Sequence, residues 1–249
     1  MSIAMSDIEY ELSRNETMLE DTYFSMPSFM FKYKAADNIE AIVRICDIFI
    51  NKRIYMPTYK QLNDPFEGLN SRLISANRKE RENFRENWRI LSLSSDAFLP
   101  TLWAYYAGNY SGICIGFQTH NTFDDAQRIE YVNGMNSWTT DPELSVQNDL
   151  LKKYSDWSHE KEWRMIRQAE FDGEGRICND YLKLKEGDVR CVLFGSNMEP
   201  IVKEIIMQKL PESVKVLTIF PDEESYCLSA ITSDGDIIKS TEELEEMLA

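Results

Sequence analysis

Residues 157–164 have the sequence Trp-Ser-His-Glu-Lys-Glu-Trp-Arg, and the secondary structure of this stretch decides both the fold and the candidate site. Successive side chains of a β-strand point to opposite faces, so a strand places Glu160, Glu162 and Arg164 on one face. Two carboxylates then lie side by side on a rigid element, next to a guanidinium. We therefore predict a strand over residues 160–168 and take these three residues as candidate catalytic residues.

A helix is the alternative structure for the same stretch. On a helix, Glu160 and Arg164 form a surface ion pair at i,i+4 spacing, worth only about 0.3–0.5 kcal/mol. Trp157 and Trp163 favour a cleft instead, since a purely solvated helix rarely carries two tryptophans. Two carboxylates in a cleft shift each other's ionisation and stabilise a developing cation. Bond cleavage at a sugar anomeric carbon passes through such an oxocarbenium-like state.

Two further runs combine aromatic and polar side chains, a pattern that indicates a shaped ligand cleft. Residues 63–67, Asn-Asp-Pro-Phe-Glu, form a turn by their own backbone-bonding chemistry. In its functional interpretation, Asn63 orients a ligand and Phe66 provides a stacking surface. Trp103 and Tyr106 lie at i,i+3 on a predicted helix, a spacing that core packing also explains.

The composition indicates a globular chain with a substantial core. With 249 residues, 43% hydrophobic and 12% aromatic, the chain forms one large domain or two small ones. The five cysteines are odd in number and far apart, which favours reduced core thiols over disulfides or zinc ligands. No stretch approaches the roughly 20 apolar residues that span a bilayer, and the N-terminus lacks the features of a signal peptide. We expect a soluble, cytoplasmic protein without a metal site or a membrane partner.

The net charge of −15 argues against a nucleic-acid partner, because binding to phosphate backbones needs clustered Lys and Arg. The charge is nevertheless uneven: residues 31–90 hold 12 Lys/Arg against 8 Asp/Glu, a local net charge of +4. A basic pocket in this section could receive a small anion such as a dinucleotide. The alternative is that residues 78–89 form a solvated helix with Glu–Arg pairs.

Periodicity and turn chemistry divide the chain into short strands and helices. We predict an acidic lead-in at residues 1–28 and a single α+β domain over residues 29–249, ending in an acidic helix. Its short mixed or antiparallel strands form one or two small sheets flanked by helices. The predicted strands cover residues 29–34, 54–56, 89–94, 110–117, 126–132, 160–168, 189–194 and 215–220, with a closing hairpin at 225–239. The predicted helices cover residues 37–50, 77–88, 100–107, 143–154, 199–209 and 242–248.

Six motifs occur along the chain in a fixed order. They are an aromatic-basic first strand (residues 31–34), an Asn-Asp-Pro-Phe-acid turn (63–67), a hydroxyl-bearing strand (91–94) and a Trp-containing element (102–107). The last two are Gly-x-Cys-x-Gly-Phe (112–117) and Lys-x-x-x-Trp-x-x-Glu-x-Glu-Trp-Arg (153–164). In this order they resemble the bacterial family called domain of unknown function 2971, over about residues 29–200. Three residues depart from the family pattern: Lys34 replaces an Arg, Tyr105 a His and Leu62 a Phe.

The motif order is also similar to that of ADP-ribosyltransferase folds, and this similarity implies roles for several residues. In those folds a basic residue on the first strand holds the nicotinamide dinucleotide, and a hydroxyl braces a glutamate that bonds the ribose. Carried over to this chain, the basic residue is Lys34 or Lys32, and Ser94 braces Glu160 or Glu162. Phe66 or Tyr106 then provides the stacking surface for nicotinamide.

The resemblance therefore predicts an NAD-using ADP-ribosyltransferase or NAD hydrolase with an ADP-ribosyltransferase-like fold. NAD is its substrate, no metal takes part, and a protein target or regulator is a further partner candidate. The expected setting is an intracellular bacterial toxin or phage-defence effector. The alternative, from another class, is a non-catalytic module that binds a small molecule or a protein in the same aromatic cleft. A nuclease is a third interpretation, which the acidic charge balance and the missing metal cluster disfavour.

Overall fold

The fold is built around one large β-sheet, seen in a computed structural model that describes residues 25–64, 67, 79, 86–133, 150–173 and 178–249. The strands of the described part are β1 (Phe29–Lys34), β2 (Arg53–Tyr55), β3 (Trp88–Ser94), β4 (Ile113–Gln118), β5 (Gln127–Arg128), β6 (Glu130–Val132), β7 (Lys152–Tyr154), β8 (Glu162–Gln168), β9 (Tyr181–Lys183), β10 (Val189–Phe194), β11 (Lys215–Asp222), β12 (Cys227–Thr232) and β13 (Ile237–Ile238). The α-helices are α1 (Ile39–Ile50), α2 (Pro100–Tyr105), α3 (Pro200–Met207) and α4 (Thr241–Leu248), and 3₁₀ helices cover Tyr59–Gln61 and Ser155–Glu160. Most of the predicted lead-in and of the predicted helix at 77–88 lies outside the described residues.

Nine of the described strands form a single sheet in the order β13-β12-β11-β10-β4-β1-β3-β8-β5. Neighbouring strands are antiparallel except β10 and β11, which run parallel and are connected through α3. Two-stranded sheets of β2 with β9 and of β6 with β7 accompany it. The mixed α and β content with mostly antiparallel strands confirms the coarse fold class. The expectation of only small sheets is wrong.

The sheet is large because its central strands are buried on both faces. Five of the six residues of β4 are buried, and such a strand pairs along both of its edges. Helix α1 covers one face with Ile45 and Phe49. Helices α2 and α4 cover the other face with Trp103 and Leu244. The alternating side chains of the strands therefore enter two separate cores, one on each side of the sheet.

The helix predicted at residues 143–154 is wrong at its C-terminal end. Lys152–Tyr154 forms β7, which pairs in parallel with β6, whereas residues 143–149 lie outside the described residues. The prediction used the local spacing of Leu144, Leu150 and Leu151 alone. Pairing with a strand some 20 residues away (Glu130 is opposite Lys152) decides the backbone instead.

Strands β1 and β3 are neighbours that pair at one position only, Phe31 with Ser94. Their outer edges are fully paired, since β1 matches β4 at all 6 of its residues and β3 matches β8 at all 7. The sheet is therefore nearly divided into two halves, which meet at this pair and diverge beyond it. The divergence leaves an opening between residues 32–34 of β1 and residues 92–93 of β3.

Gly116 of β4 leaves room for its neighbours in the sheet. An added Cβ would lie 2.5 Å from the Cys191 sulfur and 3.1 Å from the Phe31 ring. We expect Gly116→Ala to lower the free energy of unfolding by about 1–3 kcal/mol, because overpacking displaces side chains in a dense core. Chemical denaturation measures the effect.

Gly173→Ala is the matched control, since its Cβ would meet no described atom within 4 Å. Its free energy of unfolding should change by less than about 0.5 kcal/mol. Equal stabilities of the two variants would contradict the packing argument.

Candidate functional site

A cavity of about 230 Å³ occupies the opening between β1 and β3. Residues 31–33 and 92–94 line it from the two strands, and residues 61–63 and Tyr106 line it from loops. The lining also includes Pro57, Leu102 and four charged residues, Glu67, Lys153, Glu160 and Glu162. Liquid water takes roughly 30 Å³ per molecule, so the space suits a group of one or two rings rather than a whole dinucleotide.

Glu162 and Arg164 lie on β8 on the face predicted from strand alternation. They stand opposite Ser94 and Ser92 of β3 in the antiparallel ladder. Arg164 is almost fully buried, and its Nε donates to Glu162 Oε1 over 2.6 Å. Its Nη2 donates to Glu67 Oε1 over 2.7 Å, which ties the turn at residues 63–67 to the sheet.

Glu160 reaches the same place by a different local structure from the one predicted. The predicted strand begins only at Glu162, because Ser155–Glu160 is a 3₁₀ helix and Lys161 follows it with a φ of 48°. The Ser94 hydroxyl donates to the Glu160 backbone carbonyl over 2.8 Å and holds this turn against β3. The two carboxylates are therefore brought together by a turn and a strand rather than by one strand.

Lys153 connects the three carboxylates of the cavity. Its Nζ lies 2.5 Å from Glu160 Oε2, 2.9 Å from Glu162 Oε2 and 3.2 Å from Glu67 Oε1. The side chain is only 5% exposed, so these contacts form in a poorly hydrated environment where charge interactions are strong. Lys153 with Arg164 thus compensates most of the negative charge of the cluster.

The pKa values of these groups follow from burial and from their partners. Burial opposes the ionisation of Glu162, but Arg164 and Lys153 outweigh burial and lower its pKa to about 2. Burial also opposes the charged form of Lys153, but the three carboxylates outweigh it and raise its pKa. At Glu67 burial prevails over Arg164 and raises the pKa. Glu162 is therefore ionised and Lys153 protonated at neutral pH.

Glu160 and Glu162 differ in how many further hydrogen bonds they can accept. An ionised carboxylate has about four acceptor positions. Glu162 receives Arg164 at both oxygens and Lys153 at Oε2. The Glu160 carboxylate receives Lys153 at Oε2 and the Tyr106 hydroxyl at Oε1 over 2.6 Å. Among the described contacts, Glu160 has the greater capacity to accept a hydrogen bond from a ligand.

Lys32 provides a second cation in the cavity, on its β1 wall. Its Nζ donates to the Ser92 backbone carbonyl over 2.7 Å and so spans the opening between β1 and β3. Burial and then Lys34 lower the pKa of Lys32 to about 8, with Glu162 and Glu160 opposing the shift. Lys32 forms no ion pair with any described residue within 4.0 Å. Its ammonium is therefore available to an anionic ligand.

The sequence-derived site residues separate into three groups. Those lining the cavity are Lys32, Asn63, Ser94, Tyr106, Glu160 and Glu162. Arg164 lies behind Glu162, Lys34 is not among the lining residues, and Trp103 is fully buried with its Nε1 donating to the Ala97 carbonyl over 2.9 Å. Phe66 lies outside the described residues.

Ser94 contacts Glu160, one of the two glutamates that it is expected to brace. The hydroxyl of Ser94 donates to the backbone carbonyl of Glu160 and not to its carboxylate. Trp103 and Lys34, in contrast, are not among the residues that line the cavity. Trp103 packs edge-on against Tyr33 in the core, which is the core-packing alternative considered for it.

Lys153, Glu67 and Ser92 were not among the sequence-derived site residues, although all three stand within the quoted motifs. Lys153 begins the Lys-x-x-x-Trp-x-x-Glu-x-Glu-Trp-Arg motif, and Glu67 ends the turn at residues 63–67. A lysine that precedes two alternating glutamates was the available signal for Lys153. The contacts themselves join residues up to 97 positions apart, as in the Arg164–Glu67 bond, and spacing cannot reveal them.

No protein-family model, curated protein or solved structure matches this chain. The described residues contain no group of three or more His, Cys, Asp and Glu arranged to hold a metal ion. No helix in the described part is both long and apolar enough to cross a membrane. The interpretation of the cavity therefore rests on its own geometry and on the motif resemblance.

Removal of Lys153 should destabilise the fold strongly. We expect Lys153→Met to cost about 3–5 kcal/mol at pH 7, because Glu67 and Glu162 then share Arg164 alone and Glu160 loses its described ion pair. Without Lys153 the pKa of Glu67 rises further above its unfolded value, and Glu162 loses one of the two cations that lower its pKa, so the folded state binds more protons as the pH falls. The variant should therefore regain stability between pH 7 and pH 5, measured by urea denaturation.

Lys52→Met is the matched control for this experiment. The Lys52–Glu186 pair has a 2.9 Å contact, but its side chains are 54% and 91% exposed. Its loss should cost at most about 1 kcal/mol. A Lys153→Met variant as stable as this control at pH 7 would contradict the expectation that Lys153 compensates the buried carboxylates.

Proposed function

We propose that this chain cleaves the glycosidic bond of NAD, as an ADP-ribosyltransferase or an NAD glycohydrolase, in the cavity between β1 and β3. The observation that carries the proposal is that the carboxylates of Glu160 and Glu162 share one cavity with the Lys32 ammonium and the Tyr106 phenol. The motif resemblance supports the same reaction. It also supports the proposed setting, an intracellular bacterial toxin or phage-defence effector.

Glu160 is the carboxylate proposed to contact the ribose. Positive charge develops on the ribose as nicotinamide leaves, and a preorganised carboxylate in a site with little water stabilises that charge. Glu160 keeps free acceptor positions for a ribose hydroxyl, whereas Glu162 is bonded to two cations through three hydrogen bonds. Glu162 then acts as a positioning residue, because it bonds Lys153, which in turn bonds Glu160.

Lys32 and Tyr106 are proposed to orient the rest of the substrate. The cavity volume of about 230 Å³ accommodates the nicotinamide–ribose end, so the adenosine end must extend outside. Lys32, on the opposite strand from Ser92, supplies the positive charge for the pyrophosphate. Tyr106 lines the cavity with its ring and bonds Glu160 with its hydroxyl, and so contacts both substrate and carboxylate.

A non-catalytic binding module is the second candidate function, and one observation favours it. Lys153 bonds both cavity carboxylates, at 2.5 and 2.9 Å, and so cancels part of the charge that would stabilise a cation. Such a module binds a small anion or a protein segment in the same cavity and leaves NAD intact. The two candidates therefore differ in turnover, not in the site.

Nicotinamide release from NAD tests the proposed reaction, and Glu160→Gln is the informative variant. The amide keeps the volume but removes the charge, so the rate should fall by about 10²–10³-fold. Thermal unfolding, with and without NAD, checks that the variant folds and still binds.

Glu186→Gln is the control, because Glu186 is an exposed carboxylate paired with Lys52 away from the cavity. It should release nicotinamide at the wild-type rate. Stabilisation of the wild-type protein by NAD without nicotinamide release would exclude the reaction and support the binding module. Absence of both effects would exclude NAD as the ligand.

The affinity for NAD should depend on pH through Lys32. Lys32 loses its charge as the pH rises through about 8, so the affinity for the anionic ligand should fall between pH 7 and pH 9. Lys32→Arg keeps the positive charge over this range and should remove the dependence, whereas Lys32→Met should weaken binding at every pH. Calorimetric titration at several pH values measures the affinities. A pH dependence that persists in Lys32→Arg would assign it to another group.

A further inference from the structure

We infer that Lys32 is a nucleophilic amine, which forms an imine with small hydroxylated aldehydes that enter the cavity, such as open-chain aldoses. The inference uses the cavity of the proposed function but not its reaction. It starts from a difference between two lysines. Lys32 and Lys153 line the same cavity, yet only the partners of Lys153 hold its amine in the charged form.

Lys153 is held in its charged form by its contacts. Its Nζ touches three carboxylates, at 2.5, 2.9 and 3.2 Å. A proton lost from this amine would leave those carboxylates without their counterion. Lys153 is therefore not a nucleophile in this structure.

Lys32 is not held in this way. Its Nζ hydrogen bond is to a backbone carbonyl, that of Ser92, at 2.7 Å. A neutral amine donates to a carbonyl as an ammonium does, so this contact positions Nζ without requiring the proton. The amine is placed at the wall of a cavity that a ligand can enter.

The charged groups around Lys32 come from its own strand and from across the cavity. Lys34 on β1 and Lys153 disfavour its ammonium, whereas Glu160 and Glu162 favour it, and burial is the largest influence. The outcome is a pKa of about 8. Desolvation together with a neighbouring cation is a known way to activate a lysine for attack on carbonyl carbon.

The reaction balances without an oxidant or reductant. The Nζ lone pair attacks the aldehyde carbon, and one amine proton moves to the carbonyl oxygen to give a carbinolamine. That hydroxyl then leaves with the second amine proton as water, and the imine remains. Tyr106 and Glu160 line the same cavity and offer hydrogen bonds to hydroxyl groups of the aldehyde, which explains the preference for hydroxylated carbonyl compounds.

Reductive trapping tests the inference. The full-length protein is incubated at pH 7.5 with low concentrations of glycolaldehyde and cyanoborohydride, and peptide mass spectrometry gives the labelling rate at each lysine. We expect Lys32 to be labelled at least about tenfold faster than the exposed Lys183. At this pH an amine of pKa 8 has on the order of 100-fold more of its neutral form than an ordinary lysine. A less basic amine is also a weaker nucleophile, but this removes only part of that advantage.

Lys34 is the internal control for the role of the cavity. Its pKa is also lowered to about 8, by burial and Arg44, but it is not among the residues that line the cavity. Labelling of Lys32 well ahead of Lys34 supports the inference. Equal labelling of the two lysines, or labelling of Lys32 no faster than Lys183, overturns it.

Two further measurements complete the test. Lys32→Arg should lose the fast-labelled site and leave the labelling rates at the other lysines unchanged. If this variant is unstable, the comparison of labelling rates within the wild-type protein still tests the inference. Nicotinamide release from NAD is measured on the same preparation. Fast labelling without release supports the inference and excludes the proposed reaction, whereas release without fast labelling does the reverse.

Discussion

The candidate site depends on the ammonium of Lys153. Three carboxylates from separate parts of the chain meet around it, Glu67 from a turn, Glu160 from a 3₁₀ helix and Glu162 from β8. Buried like charges repel strongly in a medium of low dielectric constant, so they can converge only around a shared cation. Such a network contributes little net stability, since removing charges from water is costly. Its presence is better explained by what it holds in place than by the stability of the fold.

The incomplete pairing of β1 with β3 is the second constraint. Neighbouring strands normally lie about 4.8 Å apart and leave no space between them. Here they share one ladder pair, and the opening beyond it contains the cavity. One wall belongs to the half-sheet with Lys32 and the other to the half-sheet with Glu162. A ligand in the cavity therefore contacts both halves of the sheet, and its binding should be sensitive to their relative position.

Local patterns predicted the strands well where long apolar or alternating runs occur. The strands predicted at 29–34 and 189–194 have the same bounds in the structure, and α1 lies within its predicted range. Patterns failed where a distant partner decides the backbone, as at β7 and at the 3₁₀ helix before Glu162. The same limit applies to the site: Glu160 and Glu162 were identified from an alternating run, but Lys153 was missed. Trp103 was placed in the cleft because an aromatic run does not distinguish a core residue from a ligand contact.

The sequence by itself determined the elements with long apolar or alternating runs, the shared face of Glu162 and Arg164, and the acidic charge, because these follow from residue type and from periods of two and 3.6 residues. Only the tertiary structure decided that β1 and β3 diverge and that one buried lysine gathers three carboxylates. It also decided which of the two lysines of β1, Lys32 or Lys34, lines the cavity. The physical reason is that register and burial are set by contacts between residues far apart in the chain. The Ser94–Glu160 and Arg164–Glu67 hydrogen bonds, which span 66 and 97 positions, are such contacts.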